Sequence, residues 1–169
     1  SNAYDRDIVL MIERDQNVKP SDRLIVIDPG HGGKAPGAVQ NGYEEKDVNL
    51  AISLKLNERL MDKGYNTIMT RDKDTDVDLH ERARIANSYQ ADLFISIHAN
   101  SNQNSSITGI QVLYCPRGQS KVKTDDNYPL SEILMDEITK GVAAQNKGII
   151  QKPGIVVLKE TSMPAALIE

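Results

Sequence analysis

The sequence predicts a three-layer α/β domain, with a mostly parallel central sheet of about six strands flanked by helices. Three observations predict it. Short runs rich in β-branched and aromatic residues, such as Leu24–Ile27 and Asp92–His98, alternate with stretches of helical periodicity. Turn residues close the strands, as Asp28-Pro29-Gly30 does the first: Pro29 offers no ladder donor and Gly30 tolerates unusual backbone angles. The composition is that of an ordinary globular chain, 39% hydrophobic and 26% charged over 169 residues, enough for one domain with a sizeable core.

The elements follow in order. Ser1-Asn2-Ala3 reads as a tag scar, and residues 4–23 are charged apart from Ile8–Ile12, an edge strand or a fragment of a preceding region. Leu24–Ile27 reads as a buried strand, followed by a glycine loop to Gly42. A helix is expected over residues 44–63, since Val48, Ile52, Leu56 and Leu60 repeat at helical spacing and Glu44, Glu45 and Asp47 suit its positive end. Gly64 stops it. Asn66–Thr70 reads as the next strand and Arg71–Asp78 as an acidic loop, in which Asp76 or Asp78 caps a helix over residues 79–89 with Leu79, Ala83 and Ala86 on one face. Asp92–His98 reads as a strand, residues 101–106 as a polar loop, and Gly109–Tyr114 as a strand. After a second polar loop, Pro116–Asn127, a helix is expected over residues 129–144 with Leu130, Ile133, Leu134 and Ile138 inward. Ile155–Leu158 and Ala165–Ile168 read as two last short strands.

Composition also excludes classes of function. A net charge of −4, a pI of about 5.4, no Lys/Arg cluster and no Trp argue against a nucleic-acid role. The single Cys115 rules out an internal disulfide and a multi-cysteine metal site. No apolar stretch approaches the length of a membrane helix. Gly30–Ala35 fits the dinucleotide fingerprint G-x-G-x-x-A, but that fingerprint needs a helix to begin in the loop, and Pro36 and Gly37 follow at once. A phosphate loop needs Ser or Thr after its Lys, and Ala35 stands there.

The chain has three histidines, and two of them, His31 and His98, end predicted strands. In a parallel sheet the carboxyl ends of strands share one edge, where ligand crevices lie, so the two imidazoles can converge. Two histidines at one edge argue for a metal, since catalytic zinc commonly takes two His and a carboxylate and keeps one position for water. Glu44 and Glu45, at the start of the next helix, are both placed to supply that carboxylate. Asp28 reads as a brace for its turn, and Asp92 starts a strand and so lies at the opposite edge. His80, between Asp78 and Arg82 on a predicted helix, reads as a surface residue.

The blocks Ile27–Gly33 (IDPGHGG), Glu45–Leu50 (EKDVNL), Thr70–Asp72, Arg82 with Ala86-Asn87, Phe94–Asn100 (FISIHAN) and Met163–Glu169 (MPAALIE) occur in an order that resembles the zinc-dependent N-acetylmuramoyl-L-alanine amidases of the amidase-3 type. The resemblance runs from about Leu24 to Glu169, so residues 24–169 read as the catalytic domain and residues 1–23 as a scar with an N-terminal extension. It implies cleavage of the amide between N-acetylmuramic acid and the first L-alanine of the peptidoglycan stem. It implies zinc (Zn2+) held by His31, Glu45 and His98, with Glu169 as the catalytic acid/base. Arg71 and Arg82 then read as structural ion pairs with nearby acids rather than contacts to stem-peptide carboxylates, and Asn100 as an Asx turn rather than a substrate contact. The family shows Arg-Gly where this chain has Lys147-Gly148, and it continues past its catalytic Glu with a closing helix, so a longer chain is expected to be the more active form.

The resemblance further implies a cell-wall or spore-cortex location reached by export through a preceding segment, and a nearly bare catalytic domain resembles the sporulation-type CwlD amidases. A net charge of −4 gives no long-range attraction to the anionic wall, so a regulatory or targeting protein partner, or an additional segment, is expected. Two other classes compete: a catalytically weak zinc domain that binds peptidoglycan or a partner, and another α/β zinc hydrolase such as a carboxypeptidase.

Overall fold

The computed structural model describes residues 18–99, 108–122, 126–142 and 144–169. After a single turn of 3₁₀ helix at Pro20–Asp22, the elements are β1 (Leu24–Pro29), a small hairpin of β2 (Val39–Gln40) and β3 (Tyr43–Glu44), α1 (Glu45–Asp62), β4 (Asn66–Met69), α2 (Leu79–Ser88), β5 (Leu93–Ile97), β6 (Ile110–Tyr114), α3 (Asn127–Gly141), β7 (Asn146–Gln151), α4 (Val156–Glu160) and β8 (Ala165–Ile168). Among the described residues the main sheet has six strands in the order β4-β1-β5-β8-β6-β7. Its pairs are parallel except β6 with β8, which is antiparallel. The expected mostly parallel sheet is therefore present, with β6 and β7 running against the rest.

Side-chain alternation along the strands explains the three layers. Ile25, Ile27, Leu93, Ile95, Ile97, Val112 and Ala166 face α1 and α3, against Leu56, Leu60, Leu130, Leu134 and Met135. Val26, Phe94, Leu113, Ala165 and Leu167 face the other way, against Ala86 of α2 and Val157 and Leu158 of α4. Phe94 is fully buried, and truncating a side chain of that size to Ala costs about 3–5 kcal/mol. Asp78 caps α2, accepting from the amides of His80 (2.8 Å) and Glu81 (3.4 Å). Asn127 ties three elements together: its Nδ2 donates to Cys115 O (2.9 Å) and its Oδ1 accepts from Ala165 N (2.9 Å).

Several expectations fail for identifiable reasons. Ile155–Leu158 is not a strand: Val156–Glu160 forms helix α4, whose Val157 and Leu158 are buried in the cluster that also holds Ala86 of α2. Packing overrides the β preference of Ile155, Val156 and Val157. Strand β7 and the β2–β3 hairpin were not expected. The hairpin turns at Asn41 and Gly42, both with left-handed backbone (φ 53° and 81°). β1 runs on through Asp28 and Pro29, which pair with Ser96 and Ile97. Ile52 and Leu79 are exposed, at 46% and 54%. On α1 the buried face is Glu45, Asn49 and Ser53, continued by Leu56 and Leu60 at the core. The readings of residues 1–3, Ile8–Ile12, Asn100 and 101–106 lie outside the described residues.

Candidate metal centre

β1, β5 and β8 are adjacent and parallel, and Pro29, Ile97 and Ile168 fall in one register row. The residues that follow them, Gly30, His98 and Glu169, leave the sheet side by side at its carboxyl edge. His31 comes one residue after Gly30 with φ 60°, a left-handed conformation that costs a side-chain-bearing residue about 1–2 kcal/mol.

Two buried arginines hold that loop in place. Arg82 donates through Nη1 to Pro29 O (2.7 Å) and through Nη2 to His31 O (2.8 Å). Arg71 donates through Nε to Pro29 O (2.9 Å) and through Nη2 to Gly30 O (2.9 Å) and Lys46 O (2.7 Å). Arg82 forms an ion pair with Asp28 at 2.8 Å, and that carboxylate also accepts from the hydroxyls of Thr70 (2.6 Å) and Ser96 (2.7 Å). The expected ion pair is therefore present for Arg82. For Arg71 it is corrected, because its guanidinium bonds main-chain carbonyls instead.

Glu45, in the first turn of α1, lies between the two histidines, its side chain 7% exposed. Its Oε2 is 3.2 Å from His31 Nε2 and accepts from Ala38 N (2.9 Å). Its Oε1 is 2.9 Å from His98 Nδ1 and accepts from Ala99 N (3.3 Å) and Asn49 Nδ2 (3.3 Å). Burial works against its charge, but the bonds from His98, Ala38 and Asn49 prevail and hold its carboxyl down at about 2. Burial pushes the His31 imidazole below its ordinary value; Glu45 opposes this, and the nearby His98, Arg82 and Arg71 add to it. The donor set is thus a carboxylate anion with two imidazoles, one of them held toward its neutral, ligating form.

One ligand atom from each of His31, Glu45 and His98 lies within 4.8 Å of the others. A tetrahedral ion with bonds of about 2.0–2.1 Å would separate its ligands by about 3.3 Å. His98 meets Oε1 of Glu45 at 2.9 Å and His31 meets Oε2 at 3.2 Å, and with one ligand atom from each residue within 4.8 Å the cluster could hold a metal after small side-chain rotations. Gly37 makes room for it: at φ 70°, a Cβ there would lie 2.6 Å from Glu45 Oε2 and 2.7 Å from His31 Cδ2.

His31 and His98 line a cleft of about 640 Å³ that Glu169 also lines. Its lining also includes the apolar side chains of Val77, Leu79, Ile155 and Val156, with Asp76 and Asp78 beside the first two. Glu169 is half-buried, and its main chain is pinned to β6 by bonds to and from Gln111 (2.9 and 2.8 Å). The other acids stand elsewhere. Glu44 pairs with Lys46 at 3.2 Å, and Asp92 is at the opposite edge, accepting from Leu24 N (2.8 Å). His80 is exposed on α2. Sequence reasoning did not single out Asn49 or the amides of Ala38 and Ala99. For Asn49 a signal existed: a polar residue four positions after Glu45, on the same helix face.

A family model described as N-acetylmuramoyl-L-alanine amidase matches residues 25–169. The chain is 36% identical over 145 residues to the N-acetylmuramoyl-L-alanine amidase LytC of Bacillus subtilis, covering 86% of this chain and 28% of that protein. It is 31% identical over 163 residues to the germination-specific N-acetylmuramoyl-L-alanine amidase of the same organism, covering 88% and 66%. Its fold is similar to the CwlD amidase of Clostridioides difficile, solved in complex with the GerS lipoprotein: TM-score 0.76, 32% identity, 87% of this chain and 81% of that one.

Proposed function

The chain belongs to the N-acetylmuramoyl-L-alanine amidase family, and from that premise we propose that it hydrolyses the amide between N-acetylmuramic acid and the first L-alanine of the peptidoglycan stem. The observation that carries this reading is the approach of His31, Glu45 and His98 to within 4.8 Å at a cleft that also presents Glu169. The metal proposed is zinc, for which two imidazoles and one carboxylate are a usual catalytic set. Zinc there would supply a Lewis acid that polarises the scissile carbonyl and brings the pKa of water to about 7.

The chain's own residues do the rest. Glu45 supplies one negative charge, kept anionic by its bonds from Ala38, Ala99 and Asn49. Glu169 takes a proton from the attacking water on a carboxylate oxygen and returns it to the alanine nitrogen as the amide breaks. Its pinned main chain limits where that carboxylate can go. The apolar side chains of Val77, Leu79, Ile155 and Val156 line part of the same cleft and disfavour bound water there.

The substrate places the work outside the cytoplasm, at the cell wall or the spore cortex. A protein partner accompanies this reading, supported by the lipoprotein complex of the CwlD relative and by a net charge of −4, which offers no attraction to an anionic polymer. Little of the domain should therefore pellet with purified wall at physiological salt.

Digestion of purified peptidoglycan tests the activity. Freed alanine amino groups should appear without new reducing sugar ends, stop with a chelator and return with zinc. Reducing ends instead would mean glycan cleavage, and tight zinc binding without any release would favour a binding domain.

A further inference from the structure

We propose that Asn49 is a positioning residue of this centre, joining the carboxylate of Glu45 to the loop that carries His31; this rests on the reading of His31, Glu45 and His98 as zinc ligands. Asn49 is 0% exposed, on the buried face of α1 with Glu45 and Ser53. Its Nδ2 has two protons and two acceptors: Glu45 Oε1 at 3.3 Å and Gly30 O at 3.1 Å. Both neighbours are acceptors, so the amide nitrogen must face them. One buried side chain thereby links α1 to the exit of β1.

Gly30 is the junction of the site. Its carbonyl takes Asn49 and Arg71, its amide donates to Ile97 O at 2.9 Å, and its Cα packs against the His98 ring. A shift of Gly30 moves His31 next to it in the chain and frees His98 above it. Asn49 therefore touches one ligand directly and borders the segment that sets the other two.

The rest of the Asn49 environment gives no competing reason for an amide. Its Oδ1 has no partner among the described residues. A fully buried, unpaired acceptor costs about 1–3 kcal/mol, which an apolar residue would avoid. What Asn49 contributes is its pair of donors. They are neutral, so they steady the Glu45 carboxylate without cancelling the charge that a cation needs. Hydrogen bonds of this kind to metal ligands are worth about 10–100-fold in affinity when removed.

Zinc affinity, measured by chelator competition on the metal-free chain, tests this. Asn49→Ala should weaken zinc about 10–100-fold and alter the visible spectrum of the cobalt-substituted chain. Asn49→Leu fills the same volume without a donor and should show the same loss even if the Ala variant folds poorly. Ser53→Ala is the control: Ser53 is one turn further along α1, also 0% exposed, and its Oγ has no partner among the described residues, Glu45 included. It should keep wild-type affinity and spectrum. Wild-type zinc affinity in the Ala and Leu variants overturns the proposal, as does an equal loss in Ser53→Ala, which would make the effect general to the buried polar face. A wild-type chain that takes up no zinc removes the ligand assignment itself, a distinct failure.

Discussion

Gly30→Ala tests how tightly the ring of His98 is packed against the exit of β1. A Cβ on Gly30 would lie 2.3 Å from His98 Nε2, 2.4 Å from Cε1 and 2.6 Å from Cδ2. Ordinary contact begins near 3.5 Å, so the ring must retreat by about 1.2 Å or the β1 exit must yield by as much. Metal sites tolerate about 0.2 Å, and the retreat is several times that. Gly30 does not occupy the left-handed region, so alanine meets no backbone penalty there and the cost is the ring contact alone. Overpacking of this sort costs about 1–3 kcal/mol, which leaves a folded protein to measure. Zinc affinity should fall by more than the ~100-fold that loss of a supporting hydrogen bond produces. Gly42→Ala is the counterpart: Gly42 has φ 81° and a Cβ there would meet nothing within 4 Å among the described residues, so it should cost about 1 kcal/mol of stability and leave zinc untouched. Chelator competition on the three proteins reads both effects. Wild-type zinc affinity in Gly30→Ala would refute the claim that the ring has no room to move.

Three further outcomes are expected. Glu169→Gln should keep stoichiometric zinc and lose about a hundredfold or more in turnover on peptidoglycan, the scale of a general base; full activity would remove Glu169 from the mechanism. Asp28→Asn leaves the Arg82 charge buried without its counter-ion and should lower stability by about 3–5 kcal/mol in denaturant unfolding, whether or not metal is present. Zinc at a thousandfold excess over its Kd should stabilise the wild-type fold by about 4 kcal/mol, read as a rise in Tm, while His31→Ala and His98→Ala should show no such rise.

The sheet was legible because its strands are buried on both faces. Val26, Ile27, Phe94 and Ala166 face helices on one side or the other, so the runs read as nearly continuous apolar stretches closed by turns. The meeting of His31 and His98 was legible for a topological reason: parallel neighbours bring strand exits to one edge whatever the side chains do. Strand β7 was not, because Asn146-Lys147-Gly148 opens it with polar residues and a glycine at φ 102°, and only Ile149 and Ile150 carry the signal. Helix α4 was misread because five residues are too few for a helical period to outweigh three β-branched side chains.

Helix α1 is the most informative failure. Periodicity placed Val48 and Ile52 on the inner face, whereas the inner face begins with Glu45, Asn49 and Ser53 and turns apolar only at Leu56 and Leu60. A helix that needed only to cover the sheet would carry the apolar stripe through its first two turns. Here those turns lie against the strand exits, where a buried carboxylate and a buried amide are useful and a leucine is not. The same holds for Asp28, Arg71, Arg82 and Ser96, all buried around the carboxyl ends of β1 and β5, where aliphatic residues would otherwise fill the sheet. Each carries a desolvation cost, offset by bonds to its neighbours or to the 28–31 loop. His31 adds its own backbone strain at the same place. Local rules of folding are broken together here, around one set of atoms. Such a concentration is what a site selected for chemistry leaves behind in a sequence otherwise consistent with its fold.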